Sequence, residues 1–350
     1  QSFEAINFLA PVAVKTRTGE WKMNFSHYEQ ELDYLLARGL NTIMVGHRDR
    51  VPKPEQRFVS YPYFDETDNK YKMLKFEFMS DEMKKFGTWY TRNWYDFLKA
   101  KGLEKMAYTY VYDEPRDDAI FRNITRACKW LTEAAPGLPH MMTASPPNAS
   151  YDAIDIWCPL NTEIENNPAL QAQLKHGKRL WTYVCCVPTS PHLNLLMRQS
   201  GTANRAVFWH AYKFGAEGFL YYEHASSMSS WRKKVMGDVR VDPRFDRMPD
   251  TEGDGFLVYP GPDGPINSIR FEYVRQGIQD IDYFLMLKEL SDGLPHGSTL
   301  KKQAEQLLTI PDHLLKSTAE YCREWDKYAE RKHQVGLMIE KISKELKHAK

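Results

Sequence analysis

Short apolar runs alternate with amphipathic stretches along most of this chain. Residues 41–46 (NTIMVG), 106–112, 140–144, 154–158, 179–185 and 218–223 are brief and rich in β-branched or aromatic residues, and read as strands. Residues 3–14 form an earlier run of the same kind. Between these runs the apolar spacing turns helical. Leu32, Leu35 and Leu36 share a face within 27–38, and Gly39 is the stop signal. Ser80 caps a second helix, with Asp81 and Glu82 in its first turn at the positive end of the dipole. Met83, Phe86, Tyr90, Trp94 and Phe97 line that helix, and Gly102 ends it. Ile120, Phe121, Ile124, Cys128 and Leu131 mark a third, closed by Pro136-Gly137. Pro168 opens a short fourth, and 202–214 is a fifth. Phe271, Val274, Ile278, Ile281, Phe284 and Leu285 mark a strong sixth.

Strands alternating with helices pair in parallel through right-handed crossovers. Seven clear strands and a doubtful one at 74–79 predict an α/β fold, a (β/α)8 TIM-like barrel over residues 1–292. The proline-rich polar stretch 50–75 reads as a long excursion. A doubly wound open sheet is the alternative, weakened because no Gly-rich phosphate or dinucleotide fingerprint follows any strand. Residues 293–350 predict a C-terminal helical tail packed on the barrel. Its apolar stripe runs Leu314, Tyr321, Trp325, Tyr328, Val335, Ile339, Ile342 and Leu346. Lys332 and Gly336 interrupt the stripe, which disfavours a dimer-forming coiled coil.

Composition narrows the function classes. The 350 residues carry 47 Lys+Arg against 46 Asp+Glu, a net charge of +1, so no global field steers nucleic acid or an anionic membrane. No apolar run approaches the ~18 residues of a membrane span. An aromatic content of 13% leaves ring faces for a flat ligand such as a sugar. The five cysteines, with Cys185 and Cys186 adjacent, read as free thiols. The eleven histidines are scattered without metal-ligand spacing, and neither metal nor cofactor is expected. A first residue of Gln1 rather than Met points to upstream processing and an exported compartment. The sequons at Asn24, Asn123 and Asn148 add no proof of that route.

In a parallel barrel the chemistry sits at the carboxyl ends of the strands. The outstanding end is 108–115 (YTYVYDEP), where Asp113 and Glu114 close an aromatic strand. Pro115 disfavours helix at Glu114 and restricts it to extended backbone. Carboxylates beside aromatic walls are poorly solvated, which favours the protonated acid. The competing explanation is a helix N-terminus, where Asp and Glu are common. With 74–79 counted as the third strand, Glu114 ends the fourth. The seventh, 179–185, then ends in cysteines, and Glu223 falls on the eighth, so the common two-glutamate glycosidase arrangement fits poorly. Adjacent carboxylates suit a mechanism in which the substrate's own 2-acetamido oxygen is the nucleophile.

Ala107 to Pro115, Asp155-Ile156-Trp157 and 180–186 (LWTYVCC) together resemble glycoside hydrolase family 123. So do 208–215 (FWHAYKFG), 218–222 (GFLYY), 253–260 (GDGFLVYP) and Ser268-Ile269-Arg270, all in the family's order. The resemblance implies a retaining exo-β-N-acetylgalactosaminidase with a (β/α)8 catalytic domain and substrate-assisted catalysis. The substrate class it implies is a glycan or glycolipid with terminal β-GalNAc. Its adjacent Asp-Glu pair maps onto Asp113, which would orient the acetamido group, and Glu114, the acid/base. The family usually carries an N-terminal β-sandwich, for which too little chain precedes the barrel here, and Tyr222 replaces a common Trp.

Other sugar contacts are expected from Tyr183 and Trp181, which share strand parity. Tyr183 would donate to the acetamido oxygen, while Trp181 is balanced between site and packing. His47 and Arg48 follow a strand, and Tyr222 and Glu223 another. His224 sits beside Glu223, where an internal salt bridge competes with a sugar contact. Trp209 and Arg270 read as structural. The rival functions are a non-catalytic carbohydrate-binding barrel and a neutral-sugar glycosidase using Glu114 with Glu223.

Overall fold

The computed structural model describes residues 10–46, 51–53, 56–224, 253–261 and 263–348. The chain divides into two compact units, Gln1–Trp157 with Ala172–Lys178, and Cys158–Gln171 with Arg179–Lys350. The first unit contains β1 (Val12–Lys15), β2 (Trp21–Asn24), α1 (Ser26–Leu36), β3 (Ile43–Met44), β4 (Phe58–Asp65) and β5 (Lys70–Glu77). It continues with α2 (Asp81–Ala100), β6 (Ala107–Asp113), α3 (Asp118–Ala134), β7 (His140–Thr143) and β8 (Ile156–Trp157).

Two sheets share that unit. The strands β3, β6, β7 and β8 pair in that order, all in parallel. The second sheet has the order β2-β1-β4-β5, with β1 antiparallel to β2 and parallel to β4. Its β4–β5 hairpin occupies most of the stretch expected to be a loop. The doubtful strand at 74–79 therefore belongs to an antiparallel hairpin and not to the parallel ladder. A tight turn with Asn69 at φ +52° joins its strands, leaving no room for a crossover helix. Because β3 pairs directly with β6, no strand lies between them, and the expected strand count ahead of Glu114 is corrected accordingly.

Ser80 caps α2 by accepting from the Met83 amide at 3.2 Å, as its sequence predicts. Tyr28, Tyr90, Trp94 and Leu98 are buried together between the helices and the hairpin. Phe25 stacks on Phe97 with centroids 4.2 Å apart, and Trp94 meets the Tyr28 and Tyr90 rings edge-on.

Helix α4 (Pro168–Lys175) has residues in both units. The second unit then holds β9 (Arg179–Tyr183), α5 (Gly201–Lys213), β10 (Gly218–Leu220), β11 (Val258–Gly261), β12 (Gly264–Asn267), α6 (Ile269–Asp292), α7 (Thr299–Leu308) and α8 (Trp325–His348). Strands β9 and β10 pair in parallel, and β11 with β12 forms an antiparallel hairpin. Serines cap α5, α6 and α7 at Ser200, Ser268 and Ser298. The described residues thus form a mixed α/β fold with parallel strands.

The tail stripe is core. Leu314, Tyr328, Val335 and Ile342 are buried with α5 and α6 residues, and Tyr321, Ile339 and Leu346 pack against them. Both interruptions have causes. The Lys332 ammonium lies 2.9 Å from Oδ1 of Asp280, and Gly336 makes room for the Tyr283 ring, 3.3 Å from where a Cβ would stand.

Candidate active site

Strand β6 departs from regular pairing just before the carboxylates. Thr109 and Tyr110 stand opposite His140 and Met141, then Tyr112 and Asp113 stand opposite Met142 and Thr143. Val111 is the extra residue, a β-bulge. In a regular strand residues i and i+3 face opposite sides. The bulge cancels one alternation and brings Tyr110, Asp113 and Thr143 together. Oδ1 of Asp113 accepts from the Tyr110 hydroxyl at 2.6 Å and from the Thr143 hydroxyl at 2.9 Å. The two hydroxyls are themselves 2.8 Å apart. Tyr110 and Thr143 are buried, while Asp113 is partly exposed at the strand end.

Glu114 does not take the extended backbone expected before Pro115. Its φ is +51°, the left-handed region, which costs a side-chain-bearing residue about 1–2 kcal/mol. Pro115 excludes the right-handed helix, and the chain leaves the strand by the other route. Consecutive strand residues point to opposite faces, so a straight strand would separate the two carboxyls. The left-handed turn ends that alternation at Asp113. The Glu114 amide donates to the Thr143 hydroxyl at 3.1 Å, which holds the turn. The Glu114 side chain is 43% exposed, and Arg116 approaches its Oε2 at 3.9 Å, a solvent-screened pair.

The helix-start explanation is met by a different residue. Asp117 is the N-cap of α3, its Oδ1 accepting from the Ile120 amide at 2.8 Å. Asp113 and Glu114 lie upstream of that cap. Asp155 sits at the far end of the ladder, where its Oδ2 accepts from the amide of His140, the first residue of β7.

In the second unit, Trp181 and Tyr183 are both buried on β9. Trp181 lies over Gly218, its registered partner on β10, with ring atoms 2.7 Å from where a Cβ would stand. Tyr183 is registered with Leu220 and also bridges to Leu160. Past β10, Tyr222 is 47% exposed and Glu223 is half-buried. The Tyr221 hydroxyl donates to Oδ1 of Asp254 at 2.9 Å and accepts from the Gly255 amide at 2.7 Å. Burial holds its phenol well above the usual range. Arg270 is structural, as expected. Its guanidinium donates to the carbonyls of Leu195, Gly253 and Phe256 and so fixes the 253–256 turn. Trp209 is core and donates to Asp280. Burial pushes the Cys185 thiol up to about 12, so it stays protonated.

His47 and Arg48 lie outside the described residues. Tyr110 and Thr143 were not identified from the sequence, because their approach to Asp113 depends on the bulge. The Tyr221–Asp254–Arg270 assembly was visible only as the separate motifs GFLYY, GDGFLVYP and SIR. Among the described residues, no group of three or more His, Cys, Asp or Glu stands close enough to hold a metal, and no helix is long and apolar enough to cross a membrane.

No curated protein matches the sequence. The chain resembles the solved structure of a family 123 glycoside hydrolase from Clostridium perfringens, whose structural analysis concerned glycolipid glycan hydrolysis. The TM-score is 0.57 at 15% identity, which establishes a shared fold; the match covers 96% of this chain and 58% of that one. The model of the glycoside hydrolase 123 catalytic domain matches residues 10–287, a span that contains the bulged strand, the Asp113–Glu114 turn and the Arg270-braced loop. With most of its length matched by that model, the chain belongs to glycoside hydrolase family 123.

Proposed function

We propose that the enzyme is a retaining exo-β-N-acetylgalactosaminidase acting on terminal β-GalNAc of a glycan or glycolipid. The observation that carries this is the strand end itself: Asp113 fixed by two hydroxyls, followed at once by exposed Glu114 on a left-handed turn. Asp113 accepts the N–H of the 2-acetamido group and aims its carbonyl oxygen at C1. That oxygen forms the new bond to C1 while Glu114 gives its proton to the departing glycosidic oxygen. The product of the first step is an oxazolinium ion fused to the sugar, its N–H still held by the Asp113 carboxylate. Glu114, now ionised, takes a proton from water, and the water oxygen opens the ring at C1. Two displacements at C1 retain the β configuration.

Tyr183, Trp181, Tyr222 and Glu223 complete the proposal as sugar-binding residues, with His47 and Arg48 as further contacts. The proposed scaffold is the (β/α)8 barrel of the family. The Clostridium enzyme's connection with glycolipid glycans supports the substrate class.

The test is hydrolysis of an aryl β-GalNAc together with inhibition by a thiazoline analogue of the oxazoline. Glu114→Gln is expected to lower turnover by at least about 10²-fold, the lower end of what acid/base assistance supplies. Wild-type enzyme is expected to be inhibited by the thiazoline. Full turnover by Glu114→Gln removes the acid/base assignment. Hydrolysis that ignores the thiazoline favours a two-carboxylate enzyme for neutral sugars.

A further inference from the structure

The hydroxyls of Tyr110 and Thr143 have no need to meet a carboxylate at all. Tyr110 is buried on β6, Thr143 is buried at the end of β7, and a regular ladder would turn Tyr110 and Asp113 to opposite faces. The bulge at Val111 spends one residue of pairing to bring them together. Bulges recur beside active sites because they re-aim a side chain.

We propose that Tyr110 and Thr143 are positioning residues that set the direction of the Asp113 carboxylate, with Thr143 coupling Asp113 to Glu114; this rests on the function proposed above. Both hydroxyls donate to the same atom, Oδ1 of Asp113. Two donors on one oxygen, from two different strands, oppose rotation about the Cβ–Cγ bond and so aim the whole carboxylate group. Thr143 does a second task. Its oxygen accepts from the Glu114 amide while its proton goes to Asp113, so a single side chain spans both members of the pair. The Tyr110 hydroxyl lies 2.8 Å from that oxygen and closes a triangle of short contacts. Neither hydroxyl touches the sugar in this scheme. They act by holding Asp113 in line with the acetamido group, and small misplacements of such a group are expensive.

The experiment uses the full chain with Tyr110→Phe, Thr143→Val, Thr143→Ser and Asp113→Asn, on an aryl β-GalNAc. Thr143→Val is nearly isosteric and removes only the hydroxyl; Thr143→Ser restores it. Expected for Tyr110→Phe and Thr143→Val are kcat losses of about 10- to 100-fold with KM changed less than about threefold. Thiazoline affinity should fall in step with kcat, while GalNAc product binding holds. Thr143→Ser should recover most of the rate. A purely structural role would instead lower the melting temperature and leave the kcat of the folded fraction alone.

Wild-type kcat in folded Tyr110→Phe and Thr143→Val, with Asp113→Asn inactive, overturns the positioning role and leaves the proposed function standing. Wild-type turnover in Asp113→Asn overturns both. If Thr143→Val does not fold, Tyr110→Phe decides by the same kcat and thiazoline measurements.

Discussion

Asp113 and Asp280 are each held by several donors, but the donors differ in kind. Asp280, on α6, is 1% exposed. Arg205 donates to both its oxygens at 2.6 and 3.1 Å, Lys332 lies 2.9 Å from Oδ1, and Trp209 donates to Oδ2 at 2.7 Å. Two cations and an indole surround one carboxylate, and the helices α5, α6 and α8 are tied together by it. On Oδ1 of Asp113 two neutral hydroxyls converge from two strands, and they set the direction of the carboxylate. Cations make a buried carboxylate a structural joint. Hydroxyls at a partly open strand end aim one.

The largest expected effect separates these roles by stability. Asp280→Ala leaves Arg205 and Lys332 facing each other in the interior and should cost about 3–5 kcal/mol of unfolding free energy. Asp113→Asn, which should cripple turnover, should change stability by less than about 1 kcal/mol. Urea denaturation of the two variants reads both numbers. Equal losses would mean that Asp113 is also a structural joint, and the contrast breaks.

A smaller effect sharpens the same contrast within the joint. Lys332→Met keeps an apolar stem and leaves Asp280 with Arg205 and Trp209. Replacement of a partly exposed partner by a hydrophobic residue should cost less than about 1.5 kcal/mol. A loss as large as that of Asp280→Ala would show Lys332, not Arg205, to be the cation that matters.

The parallel strands were legible because they are short apolar runs, and two of them, β6 and β9, lead into the side-chain-capped helices α3 and α5. The hairpin β4–β5 was not. Tyr61, Tyr63 and Asp65 share its buried face, a period of two, but a charged residue on that face and Pro62 between the tyrosines disguise the pattern. Asp65 is tolerated there because it pairs with Lys72 across the hairpin at 2.9 Å. The carboxylate pair was legible for a different reason: Asp-Glu-Pro at the end of an aromatic strand is a local signal. Its support was not local. Tyr110 lies three residues from Asp113, a spacing that period-two logic assigns to opposite faces, and only the pairing of β6 with β7 reveals the bulge that overrides it. In the tail, Lys332 and Gly336 looked like faults in the stripe, because their partners Asp280 and Tyr283 lie on a helix some fifty residues earlier.

The smallest effect concerns a second buried charge site, where pH rather than substitution sets the load. Nε2 of His210 meets Oε1 of Glu165 at 2.8 Å, and the same oxygen accepts from the Thr318 amide. Burial, the larger influence, holds His210 below its ordinary value of 6.5 and outweighs the pull of Glu165 in the other direction; Lys213 adds a weaker push downward. The unfolded chain therefore takes up a proton near pH 6.5, where the folded chain resists it. Stability is fully present above that pH and falls as the pH drops below it, at no more than about 1.4 kcal/mol per pH unit for one proton. Glu165 is held below its usual 4.5 by His210 and Thr318 against the opposing effect of burial, so its contribution is present above 4.5 and is lost below that. The two losses act in the same direction but in successive windows. His210→Gln keeps a donor for Glu165 and cannot titrate, so its melting temperature should stay flat from pH 6.5 to 5 where that of the wild type declines. Parallel declines in the two proteins would assign the acid sensitivity to groups other than this buried pair.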